Sequence, residues 1–93
     1  MPTALPANQI TAALQDLPGW AYADEKIGKA YQFNDFRQAL AFIVRVGLEA
    51  ETAGHHPELF NVYNRVTIHL NTHDAGGKVT QKDLDLAGAI ERI

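Results

Sequence analysis

Apolar and polar positions along this chain keep two rhythms, and sharp punctuation separates them. Ile10, Ala13, Leu14 and Leu17 recur at helical spacing until Pro18-Gly19 stops them. Residues 20–23 read as a short strand, Asp24-Glu25-Lys26 as a turn, and Ile27, Lys29, Tyr31 and Phe33 alternate as one face of a second strand. Asn34 or Asp35 then caps a long helix, with Gln38 completing a capping box if Asp35 is the cap. Gly54 ends that helix where a left-handed cap belongs. Residues 59–63 and 66–73 read as two more strands, with Asn64-Arg65 turning between them because Asn tolerates positive φ. A two-residue loop there pairs Tyr63 with Val66; a three-residue loop would slip the register by one and exchange the faces of the first strand. On the second strand Val66, Ile68 and Leu70 share one face, and Thr67, His69, Asn71 and His73 the other. Residues 74–78, with Gly76-Gly77, form a loop, and Thr80 caps a last helix carrying Leu84, Ala87 and Ile90 inward. Residues 1–7 read as a loose lead-in.

The order α-β-β-α-β-β-α predicts an α+β fold: an antiparallel four-stranded sheet with three helices packed on one face, as a single domain over residues 1–93. The other sheet face must meet solvent, a ligand or a partner. The long helix carries two apolar stripes. Phe36, Ala39, Leu40, Ile43, Gly47 and Ala50 make one; Phe42, Val46 and Ala53 make the other, with Val44 and Leu48 nearby. A surface helix needs only one such face. Either both stripes meet one curved sheet, or the stripe led by Phe42 and Val46 packs on a second subunit. A 93-residue chain hides only roughly 60–65% of its unfolded surface, which favours the second subunit.

Composition narrows the function classes. Hydrophobic residues are 46% and charged residues 20%, which fits a soluble globule, and the net charge is -3. Lys and Arg are scattered with no basic patch, so nucleic acid is not expected as a direct ligand. There is no Cys, which removes disulfides, thiolate nucleophiles and Cys-based metal sites and suits a cytoplasmic location. Residues 1–18 lack the basic start and apolar run of a signal peptide. No stretch approaches the roughly 20 apolar residues of a membrane span, so no membrane partner is expected.

All four histidines fall between residues 55 and 73, which concentrates proton-transfer capacity near neutral pH in one part of the chain. His55 and His56 leave a helix C-terminus, and Pro57 stops the loop so that both can rim one cavity. Glu51 sits in the last helical turn, where a carboxylate opposes the helix dipole by ~0.3–1 kcal/mol; a hydrogen bond that orients a His would offset this. His73 ends a strand on its polar face. His69, two residues earlier on the same face, is read as a sheet-surface residue. Asp83, three residues after Thr80, completes a second capping box and can be held there in a fixed pose. Adjacent His ligands rarely face one tetrahedral centre, so no metal is expected. The chain has no Ser or Cys nucleophile, and Thr72 beside His73 is a weak pair.

Taken together, Glu51-x3-His55-His56-Pro57-x5-Tyr63-x9-His73-x9-Asp83 resembles the signature of pterin-4a-carbinolamine dehydratases. Leu17-Pro18-Gly19-Trp20, the Phe33, Phe36, Ala39 and Phe42 run, and Phe60-Asn61-Val62-Tyr63-Asn64-Arg65-Val66 support the likeness, which covers Leu14 to the end. Leu59 stands where many members carry Trp, and Lys82 where many carry Arg. The resemblance implies dehydration of a 4a-hydroxytetrahydropterin to the quinonoid dihydropterin, a step that recycles the cofactor of aromatic amino acid hydroxylases, with no cofactor of its own. It implies that His55, His56 and His73 catalyse, that they contact the pterin together with Pro57 and Phe60, and that Glu51 and Asp83 orient them. Which His is acid and which is base stays open. It also implies a homodimer or homotetramer. The competing class is a non-catalytic pterin-binding or dimerisation and coactivator module.

Overall fold

The computed structural model describes residues 2–93, and its elements follow the expected order with several bounds moved by one to three residues. Helix α1 (Ala7–Ala13) runs on as a 3-10 turn; β1 (Ala21–Ala23), β2 (Lys26–Gln32), α2 (Phe36–Ala53), β3 (Glu58–Val62), β4 (Arg65–Leu70) and α3 (Gln81–Glu91) follow. The strands form one antiparallel sheet in the order β1-β2-β4-β3, with the helices on one face, as the element order predicts. Of the lead-in, Met1 lies outside the described residues. Leu5 is tied down, its N–H reaching Val79 O at 2.9 Å and its side chain packing on the core.

Both hairpin turns are shorter or earlier than the sequence suggests. Asp24 and Glu25 take φ of 54° and 63°, so the first turn has two residues and Lys26 already pairs with Ala23. In the second hairpin the turn falls on Tyr63-Asn64, Tyr63 taking φ 50°, and Val62 pairs with Arg65. Asn64 is held elsewhere. Its Nδ2 donates to Phe33 O at 2.9 Å, and its own carbonyl accepts from Phe33 N–H at 2.8 Å. Leu59 therefore faces Ile68 and Asn61 faces Val66. The slide from the expected register is two residues, an even number, so every side chain keeps its face.

Central strand β4 supplies Val66, Ile68 and Leu70, all fully buried, to a core shared with Ile10, Ile27 and Ile90. Burying each such side chain contributes about 1.5–3 kcal/mol. Asp35 caps α2, its Oδ1 accepting from Gln38 N–H at 2.8 Å, while Gln38 reaches back to Asn34 N–H at 3.1 Å. Ala39, Val46 and Ala50 face the core, and Phe42 packs on Tyr31 and Phe33 with ring centroids 4.7 and 4.9 Å apart. The outward stripe is Phe36, Leu40, Val44 and Leu48. This reverses the expectation that Phe42 and Val46 point away from the sheet. The inward face takes Ala39 and Ala50 from one expected stripe and Phe42 and Val46 from the other, while Phe36 and Leu40 face outward; on a helix apolar around most of its circumference, periodicity does not fix where the inward face begins.

The opposite sheet face exposes Ala30, Phe60, Val62 and His69. No helix among the described residues is long and apolar enough to cross a membrane.

Candidate active site

The C-terminus of α2 fixes where the first histidine goes. Gly54 takes φ 63° and bonds Glu51 O, while the N–H of His55 reaches back to Ala50 O at 3.1 Å. This double closure of the last turn directs His55 inward, against the start of α3. Its Nε2 lies 2.5 Å from Asp83 Oδ1. His55 is nine-tenths buried and Asp83 wholly so.

Asp83 owes its pose to the capping box of α3. Its Oδ2 accepts the Thr80 N–H at 2.9 Å and the Thr72 hydroxyl at 2.8 Å. The expected cap and the expected orienting role are thus the same carboxylate, one oxygen each. Hydrogen bonds to a charged acceptor are the stronger kind, and no buried side-chain nitrogen or oxygen among the described residues lacks a partner. His55 Nδ1, which has no protein partner, therefore keeps contact with solvent.

His56 turns the other way. Its Nε2 meets Glu51 Oε1 at 2.8 Å, and both side chains are well exposed. Glu51 thus offsets its place at the helix end by holding His56, the neighbour of the residue one turn on. His73 opens a short 3-10 turn, His73–Ala75, just beyond β4, where the strand has already ended, and is exposed. His55, His56 and His73 line one cleft of about 300 Å³ together with Asn71, Thr72 and Lys82.

Two predicted contacts lie elsewhere in this chain. Phe60 is exposed on the far sheet face, paired with Thr67, and Pro57 is half-buried between His56 and β3; neither lines the cleft. His69 rests against Gly28, where a Cβ would approach its Cδ2 to 2.6 Å. It lines a larger hollow of about 430 Å³ on the open sheet face. That hollow has one histidine, and its Lys26 is paired with Glu58 at 2.7 Å, so the smaller cleft holds the denser chemistry. Among the described residues no three His, Asp or Glu side chains converge as metal ligands. The sequence pattern puts Asn71 on the polar face beside His73 without a role, and Thr72 only as a weak nucleophilic partner of His73. The signal for Thr72 was its place beside His73 and eight residues before the Thr80 cap.

The family profile for pterin 4 alpha carbinolamine dehydratase matches residues 3–93. The chain belongs to this family. A relative from Opitutus terrae, provisionally named a pterin-4-alpha-carbinolamine dehydratase, is 52% identical over 100% of this chain and 96% of its own. A second from Solibacter usitatus, with the same provisional name, is 44% identical over 100% of this chain and 97% of its own. Among solved structures, a transcriptional coactivator/pterin dehydratase from Brucella melitensis superposes with a TM-score of 0.89 at 37% identity, covering 96% of each chain. The family match thus takes in the whole histidine cleft and the sheet behind it.

Proposed function

We propose that the protein is a 4a-hydroxytetrahydropterin dehydratase, a hydro-lyase that forms the quinonoid dihydropterin by histidine acid–base catalysis. The observation that carries this reading is the convergence of three imidazoles on one cleft, one locked by a buried carboxylate and one held by an exposed one. The reaction breaks the C4a–O bond. An acid must protonate the departing oxygen so that it leaves as water, and a base must take the proton from a ring nitrogen as the C=N bond forms. Imidazoles can do both, each step typically contributing ~10²–10⁴-fold. His55, His56 and His73 are the catalytic groups in this reading, with Asp83 and Glu51 positioning the first two. Pro57 and Phe60 complete the substrate contacts only if the pterin or a second subunit extends beyond the cleft.

The same reading places the protein in the cytoplasm, beside an aromatic amino acid hydroxylase pathway, as a homodimer or homotetramer. The test is whether purified protein accelerates decay of the 4a-hydroxypterin released by a hydroxylase in vitro. A decay rate equal to that without protein would overturn the proposal. One observation favours a second reading, a coactivator or dimerisation module: the Brucella melitensis structure carries both descriptions. A non-catalytic module would be inactive in the same assay.

A further inference from the structure

We propose that Thr72 is a positioning residue that commits His55 to the Nε2–H tautomer and leaves Nδ1 as the nitrogen that exchanges a proton with substrate. The inference rests on the dehydratase reading for what His55 does, but its structural basis is independent of it. Thr72 is buried, and its Oγ lies 2.7 Å from Thr80 Oγ and 2.8 Å from Asp83 Oδ2. Thr80 Oγ in turn accepts the Lys82 N–H at 3.2 Å. A hydroxyl has one hydrogen to give. An ionised carboxylate has none, so the Thr72 hydrogen must point at Asp83. Thr72 can then only accept from Thr80, and the Thr80 hydrogen must point at Thr72. The chain therefore has a single direction: Lys82 N–H to Thr80, Thr80 to Thr72, Thr72 to Asp83.

The consequence reaches the cleft. Asp83 Oδ2 receives two hydrogens, from Thr72 and from the Thr80 backbone. That keeps the carboxylate an acceptor on both oxygens, and Oδ1 is left for one partner, His55 Nε2. Nε2 must then carry the hydrogen. Nδ1 is the nitrogen left without a protein partner, and it is the one in reach of solvent. Without the Thr72 hydroxyl, Oδ2 is held by the Thr80 backbone alone. With one donor on that side instead of two, the carboxylate plane can turn away from Nε2, and the His55 hydrogen is no longer assigned.

The experiment uses full-length protein with 15N-labelled histidine. In the wild type, the two-bond spectrum of His55 should show a protonated Nε2 and a bare Nδ1. In Thr72→Val, which keeps the shape and removes the hydroxyl, the two ring nitrogens should move toward each other as tautomers mix. kcat should fall by about three- to thirtyfold with KM within about twofold, and Thr72→Ser should recover most of it. Wild-type ring shifts in Thr72→Val, or Ser as impaired as Val, would overturn the proposal. A wild-type His55 protonated at Nδ1 would do so without any variant. If Thr72→Val does not fold, the wild-type hydroxyl protons decide: that of Thr72 must exchange slowly with water and lie near Asp83, and fast exchange overturns the chain. An inactive wild type whose ring shifts still follow Thr72 would remove the dehydratase reading and leave the positioning role standing.

Discussion

Asp83 has acceptors only, and it meets three donors: His55 Nε2, the Thr72 hydroxyl and the Thr80 backbone N–H. An amide cannot replace it without conflict. In Asp83→Asn the NH₂ must face either His55, donor against donor, or the cap, whose N–H it cannot accept. Neither orientation satisfies both sides, so with the two populated the variant should lose on both counts: about 1–3 kcal/mol of stability and at least tenfold in kcat, the latter because His55 is pushed toward its other tautomer wherever the NH₂ faces it. A melt shifted alone, with wild-type turnover, would return Asp83 to a purely structural role. His56 and His73 are exposed, so His56→Ala and His73→Ala should each lower kcat by about ten- to a thousandfold with nearly unchanged melting; wild-type rates in both would remove them from catalysis. Dialysis against a chelator should leave the rate unchanged, since the Nε2 atoms of His55 and His56 are directed at separate carboxylates; a loss restored by zinc would contradict this. The histidines and Asp83 were legible because their residue types announce proton chemistry at a recognisable spacing. Thr72 was not, because a threonine after a strand is ordinary. Its meaning depends on contacts eight and eleven residues away that only the closed loop creates.

At the level of elements, α3 is anchored at both ends by carboxylates. Asp83 holds its start; near its end Glu91 accepts from Trp20 Nε1 at 3.2 Å, from Lys29 Nζ at 2.8 Å and from the Tyr31 hydroxyl. Burial pushes the Glu91 carboxyl up, but the Lys29, Tyr31 and Trp20 donors outweigh it and hold it below its ordinary 4.5. Burial, reinforced by Glu91, pushes the Tyr31 phenol up. The signs follow. A depressed carboxyl contributes stability that is whole above about 4.5 and is lost as pH falls through its lowered folded value. A raised phenol contributes stability that is whole below its ordinary 10.0 and declines above it. Stability should fall on both sides of a plateau, and Glu91→Gln should flatten the acid side. Trp20 fluorescence during denaturant unfolding at several pH values reads this directly; an unchanged acid slope in the variant would show that Glu91 does not couple to folding. The same elements show where sequence reading stops. Caps at Asp35, Gly54 and Thr80 were all legible, since each is a local contest for a few backbone groups. Hairpin register was less so, because Asn64 was claimed by Phe33, 31 residues away.

The whole molecule exposes 5750 Å², slightly more than the about 5,300 Å² expected of a monomer of its mass. Part of the excess is apolar and ordered into two surfaces. One is the α2 row of Phe36, Leu40, Val44 and Leu48; the other is the open face of edge strand β3 and its turn, with Phe60, Val62 and Tyr63. Monomers seldom carry contiguous patches of this kind, and an edge strand with free backbone groups invites pairing. A two-fold axis can set the α2 row against itself. One interface would make a dimer, and both together a tetramer. The structure also decides which substitution tests this. Val46 lies in the core with no exposure, so Val46→Glu should unfold the subunit. Val44 is 55% exposed on the outward row, so Val44→Glu should leave the subunit folded and place unpartnered charges opposite each other in the assembly. Light scattering should then show the mass halved, with the thermal melt of the subunit lowered only by the lost association. A wild-type mass of about 10.2 kDa at micromolar concentration would sink the assembly, and the α2 row would stand as an apolar surface without a second copy to cover it.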